Sequence, residues 1–137
     1  MILELPFPPS VNHYWGSRVV GSGSKKFVSR YINAKGKIYR QAVIDTCLAE
    51  NLRMNLTGPL ACTIDLYPPC NRRRDCDNYP KAIQDSLAHA GVFEDDSQII
   101  DLRVRMHPKK PPGCVIVTIE KISDDQCGHN QIDLMAG

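Results

Sequence analysis

No apolar run in this 137-residue sequence approaches the roughly 20 residues that a membrane-spanning helix needs. The first ten residues, MILELPFPPS, carry neither a basic segment nor a long apolar core, so no signal peptide is expected and the cytoplasm is the expected compartment. No internal repeat is present. None of the six cysteines (47, 62, 70, 76, 114 and 127) forms a CxxC pair, so buried free thiols are expected rather than disulfides. Cys62, Cys70, Cys76 and His89 lack any zinc-site spacing. Neither disorder nor a membrane protein fits 23% charged and 42% hydrophobic residues. One domain with a real core is the expectation.

What the sequence has is segregated charge. The net charge of +2 conceals a basic block and an acidic block. Eight Lys or Arg stand against two acids from Arg18 to Arg53, and seven acids stand against one base from Asp75 to Asp101. The basic block suits a polyanion, although a run such as AKGKIYR taken alone equally suits a solvated surface.

The periodicity predicts a two-layer α+β domain built on a mixed sheet with two main helices. MILEL and FVSRYI read as short strands, and the Gly/Ser-rich GSRVVGSGSKK reads as a mobile loop. Residues 34–52 read as a helix with Ile38, Ala42, Val43, Cys47 and Leu48 facing the core. LACTIDLY alternates with Leu60, Cys62, Ile64 and Leu66 inward. A second helix is expected from about Tyr79 to Ala90. Asn78 or Asp77 would be its N-cap, Pro80 lies in its first turn, and Gly91 follows its end. IIDLRVRM is expected to turn Ile100, Leu102, Val104 and Met106 inward, and CVIVTIE is the last strand. The domain is expected to span 1–122, with a flexible tail over 123–137.

The densest chemistry is RRRDCDNYPK, residues 72–81. Asp75 and Asp77 project to one side if that segment is extended. Further acids follow in FEDDSQ, and they reach Asp75 only if the strand after them pairs beside LACTIDLY. Carboxylates converging at one place call for a hard cation such as Mg²⁺, Mn²⁺ or Ca²⁺. An EF-hand is excluded, since counting from Asp75 puts Tyr79, Pro80 and Ser86 at its fifth, sixth and twelfth positions. Such a metal flanked by phosphate-neutralising arginines is the apparatus of a phosphodiesterase, and Lys81 can add a fixed positive charge. Simple surface pairing of arginines with aspartates is the competing reading.

LPFPPSVNHYW, RRRDCDNYPKAIQDSLAHAGVFEDDSQIID and the terminal strand together resemble the RusA family of Holliday junction resolvases, over about residues 2–120. The resemblance implies a Mg²⁺- or Mn²⁺-dependent endonuclease that cuts four-way DNA junctions as a small homodimer in recombination and repair, often carried by prophages. It implies three metal-binding aspartates, Asp75, Asp77 and Asp96, with Lys81 assisting catalysis. Pro80 and Cys76 depart from the family pattern without removing a ligand. The implied dimer matches the two-fold symmetry of a junction that needs two opposed cuts.

Arg72, Arg73, Arg74, Lys25, Lys26, Arg30 and Asn12 are the expected DNA contacts, though Asn12 equally suits a turn after two prolines. Tyr14 and Trp15 are expected half in the core rather than stacked on a base. His13, His89 and His107 read as bystanders, Asp85 as solvent-facing or capping a neighbour, and Asp95 as either a residue supporting Asp96 from behind or a loop residue beside it. Two alternatives stand beside junction cutting: the same chemistry on flaps or forks, and a non-catalytic DNA-binding module.

Overall fold

The computed structural model describes residues 1–20, 23–25 and 27–123, except for the side chains of Asn12, 17–20, 25 and 27–30. The expected DNA contacts of Asn12, Lys25 and Arg30 therefore involve side chains outside the described set. Lys26 and residues 124–137 lie outside the described residues.

Four strands form a mixed sheet in the order β1-β6-β4-β5. They are β1 (Ile2–Pro6), β6 (Cys114–Lys121), β4 (Leu60–Tyr67) and β5 (Ile99–Met106). Only β4 and β5 are parallel; β6 runs antiparallel to both β1 and β4. The parallel pair needs a crossover, and α3 (Pro80–His89) supplies it. The short α1 (Val11–Tyr14) leads into a second, two-stranded sheet of β2 (Trp15–Val20) and β3 (Phe27–Ile32), and α2 (Ala34–Ala49) follows.

β4 alternates as its sequence demands, with Leu60, Cys62, Ile64 and Leu66 at most 1% exposed. Against that face lie Ile83 and Leu87 of α3 and Val43 and Cys47 of α2, all fully buried. Pro80 takes the first position of α3, where its missing N–H costs nothing. Gly91, at φ +84°, ends the helix in the left-handed region. Arg53 Nε donates to the Ala90 carbonyl at 3.1 Å, so one member of the basic block serves as a helix terminator.

Four expectations need correction. GSRVV is not a loop: its backbone forms β2, which pairs with β3 from Trp15↔Ile32 to Val20↔Phe27, since a strand is fixed by its ladder partner and not by its own glycine and serine. The buried face of α2 is Gly36, Tyr39, Val43 and Cys47, and Ile38 and Leu48 are 71% and 52% exposed. The face is turned because Tyr39 reaches under β1, where its hydroxyl donates to the Pro6 carbonyl at 2.9 Å. Ile100 and Leu102 are exposed. A register shift after Leu60↔Ile99 leaves Ile100 unpaired, and Leu102 lies on an edge strand beyond the helices. Of the five described cysteines only Cys47 and Cys62 are buried; all five are free thiols.

Gly36 allows α2 to approach the end of α1, since a Cβ there would sit 2.5 Å from the Tyr14 carbonyl oxygen. Gly36→Ala should therefore destabilise the fold by about 1–3 kcal/mol despite alanine's better helix propensity. A chemical denaturation midpoint at or above wild type would refute that close approach.

Candidate active site

Asp75 is extended and opens a 3-10 turn, Cys76–Asn78, that holds Asp77. The turn begins too early for the two carboxylates to project from an extended segment, so that local expectation fails. The cap of α3 also differs: Tyr79 occupies it, with no side-chain hydrogen bond. Tyr79 is buried with its ring 5.1 Å from Phe7, and this packing sets where the turn sits. Asp75 and Asp77 are both exposed. Among the described residues neither carboxylate has a hydrogen bond or ion pair. They are not engaged as caps and remain available to a ligand.

The second acidic segment folds back as required, because β5 pairs in parallel beside β4. The 3-10 turn of Asp77 lies against β5. Gln98 closes the intervening loop. Its Oε1 accepts from the backbone N–H groups of Glu94 (2.9 Å) and Asp95 (2.8 Å), and its Nε2 donates to the carbonyls of Leu56 (2.9 Å) and Gly58 (3.0 Å). Asp95 caps the next turn by accepting from Ser97 N–H, and that bond holds its carboxyl below the usual range. Asp95 is thus a loop residue, as expected, and Asp96 is the acid presented to α3.

Lys81 Nζ lies 2.6 Å from Asp96 Oδ2. This pair ties the first turn of α3 to the loop before β5 and gathers Lys81 and Asp96 from 15 residues apart. Among the described residues no group of three His, Cys, Asp or Glu side chains is close enough to hold a metal ion. All the candidate ligands are carboxylates, a donor set suited to a hard divalent cation. Like charges do not gather without a counter-charge, and Lys81 supplies one to Asp96 alone.

Two regions of opposite charge adjoin this strip along the chain. Asp96 lines a hollow of about 470 Å³ with Asp85, His89, Glu94 and Asp95. Arg72, Arg73 and Arg74 precede Asp75. Arg72 and Arg73 are exposed, while Arg74 is half-buried with its guanidinium 5.6 Å from the Phe7 ring centroid. A polyanion is drawn to the arginine segment and repelled from the acidic hollow.

One cluster escaped the sequence. Tyr14 is fully buried, and its hydroxyl donates to Asp85. Arg40 Nη2 meets Asp85 at 2.6 Å, and Arg40 Nε donates to the Tyr14 hydroxyl at 3.3 Å. Burial, then the bond to Asp85, pushes the Tyr14 hydroxyl above its ordinary range. Asp85 is therefore an internal tether between α3 and the foot of the β2–β3 hairpin, not a solvent-facing acid. These two hydrogen-bond partners lie 71 and 45 residues away, so no local pattern announces them.

The family model for endodeoxyribonuclease RusA matches residues 6–120. The chain belongs to the RusA family. It is 36% identical over 122 residues to the crossover junction endodeoxyribonuclease rusA of Enterobacteria phage HK97, covering 86% of this chain and 92% of that one. The same-named proteins of Enterobacteria phage 82 and Escherichia coli strain K12 are each 32% identical over 123 residues, covering 90% of this chain and 96% of theirs. The RusA match begins at the last residue of β1 and takes in α1, α2, α3 and the whole of the strip from Arg72 to Asp96. Among the described residues no helix is long and apolar enough to cross a membrane.

Proposed function

We propose that this chain is a divalent-metal-dependent endonuclease that resolves four-way DNA junctions by paired phosphodiester cuts, acting as a homodimer in the cytoplasm during DNA recombination and repair. One observation carries the reading. Along the chain two unengaged carboxylates, Asp75 and Asp77, stand between the arginines 72–74 and Lys81, which pairs with Asp96, in a chain whose relatives are named crossover junction endodeoxyribonucleases. A protein that only binds DNA gains nothing from bare acids beside its arginines, since they repel phosphate.

Asp75, Asp77 and Asp96 are the residues that would hold Mg²⁺ or Mn²⁺. Such an ion, when bound, supplies an activated water and charge for the leaving oxygen. The chain's own contribution is positioning. Arg72, Arg73 and Arg74 hold the DNA backbone. Lys81, 56% exposed at its side chain, presents an ammonium that can meet charge developing on the phosphate. The basic residues Arg30, Lys25 and Lys26, with Asn12, extend the DNA contact in this reading.

Purified protein incubated with Mg²⁺ and either a synthetic four-way junction, a flap or a linear duplex tests the substrate. The junction should be cut fastest, by two symmetric nicks. Preferential cutting of the flap would move the same chemistry to another substrate. Sedimentation at micromolar concentration should give a dimer, because a junction's two opposed cuts need two sites related by its own symmetry. A monomer on junction DNA that still makes both cuts would refute the dimer.

A further inference from the structure

A cavity of about 250 Å³ opens between the proline-rich turn after β1, the first turn of α2 and the arginine segment. Arg72, Arg74, Lys35 and His13 line it together with Ser10 and Phe7, and among the described residues no acid does. Cationic or protonatable side chains thus converge from three separate segments of the chain. Such convergence is electrostatically unfavourable unless an anion enters.

Arg74 is built into the wall rather than merely near it. Its Nη1 donates to the carbonyls of Cys70 (3.0 Å) and Arg72 (3.1 Å), and its Nη2 to Cys70 Sγ (3.3 Å). The Phe7 ring lies under the guanidinium. None of these partners is a carboxylate, so the guanidinium is oriented with no acidic side chain paired to it among the described residues. Ser10 Oγ engages His13 Nδ1 at 3.1 Å, and among the described residues the other ring nitrogen has no partner. Lys35 is exposed and has no carboxylate partner among the described residues.

The cavity adjoins the candidate cutting site, because Arg74 directly precedes Asp75 and consecutive Cα atoms stand about 3.8 Å apart. Its volume falls below the roughly 300–1,000 Å³ of sites for drug-sized ligands, which suits a phosphate with part of its sugar. The separate hollow lined by Asp85, Glu94, Asp95 and Asp96 repels the same group. We propose that this cavity seats one backbone phosphate of the cut DNA strand, beside the phosphodiester that is cut, with Lys35 and His13 completing the grip of Arg74. This rests on the reading of the chain as a DNA nuclease and adds Lys35 and His13 to its DNA contacts.

The test is binding, at low salt in EDTA, to four-way junctions in which phosphates around the cut are replaced singly by neutral methylphosphonates. One position should weaken wild-type binding about tenfold. The double variant Lys35→Ala/His13→Ala should bind the unmodified junction about tenfold more weakly. Its salt slope should be lower by about 0.9 for each phosphate no longer neutralised, and it should lose nothing further at that position. Both residues are exposed, so thermal melting should be unchanged. The proposal is overturned if the double variant binds the unmodified junction as wild type does, or if every methylphosphonate weakens it as much as wild type. Coupling at one position without any cleavage in Mg²⁺ would leave the seat standing and remove the nuclease reading. Normal cleavage without coupling would do the reverse.

Discussion

Asp96→Asn should abolish junction cleavage while junction binding persists or tightens. Removing an outer partner of a metal ligand typically costs 10–100-fold, so removing a direct carboxylate ligand should cost more than about 100-fold in single-turnover rate. Binding moves the other way because the substitution removes a negative charge that repels phosphate. A folding defect does not explain such a loss. The Lys81–Asp96 pair is partly exposed, with side chains 56% and 26% accessible, and pairs of that kind contribute only about 0–1 kcal/mol. Asp95→Asn is the matched control. That carboxylate accepts from Ser97 N–H in its own turn, so the change should shift stability slightly and leave most of the rate. If Asp95→Asn is dead and Asp96→Asn is active, the two acids have been assigned the wrong way round.

Lys81→Ala should lower the cleavage rate about 10²–10³-fold with little loss of affinity. An ammonium directed at charge that grows in the transition state contributes to the rate rather than to ground-state binding. Arg72→Ala/Arg73→Ala should do the opposite, weakening binding and reducing the salt slope by about 0.9 for each phosphate that an arginine had neutralised. Single-turnover rates at saturating protein, set beside affinities measured across a salt series, separate the two. If Lys81→Ala loses only affinity, and the arginine changes lose only rate, the division of labour along residues 72–81 is reversed.

How much was legible depended on whether the cause lay within a few residues. β4 could be read to the residue because period-two alternation over LACTIDLY is decided by the strand's own pleat. The ends of α3 could be read from Pro80 and Gly91, whose backbone restrictions are intrinsic. The buried face of α2 could not, because counting aliphatics ignores Tyr39, whose hydroxyl needs the distant Pro6 carbonyl, and Gly36, which is small because Tyr14 lies against it. β2 was hidden by its glycine and serine, since a hairpin strand owes its existence to its partner.

The strip itself is a mixed case. RRRDCDNYPK marks itself by charge alone, and the return of Asp96 to Lys81 follows once β5 is beside β4. The Tyr14–Arg40–Asp85 tether had no such marker, and neither did the meeting of Lys35 and His13 with the arginine segment. Both are made by tertiary packing between stretches that look ordinary in isolation.

Cleavage of a synthetic four-way junction by the wild-type protein, in Mg²⁺ and again in excess EDTA, is the most direct measurement. Two symmetric nicks in Mg²⁺ and none in EDTA are the predicted result. Full cleavage in EDTA would contradict it, because three carboxylates with no cation between them have no means of activating water at a phosphate.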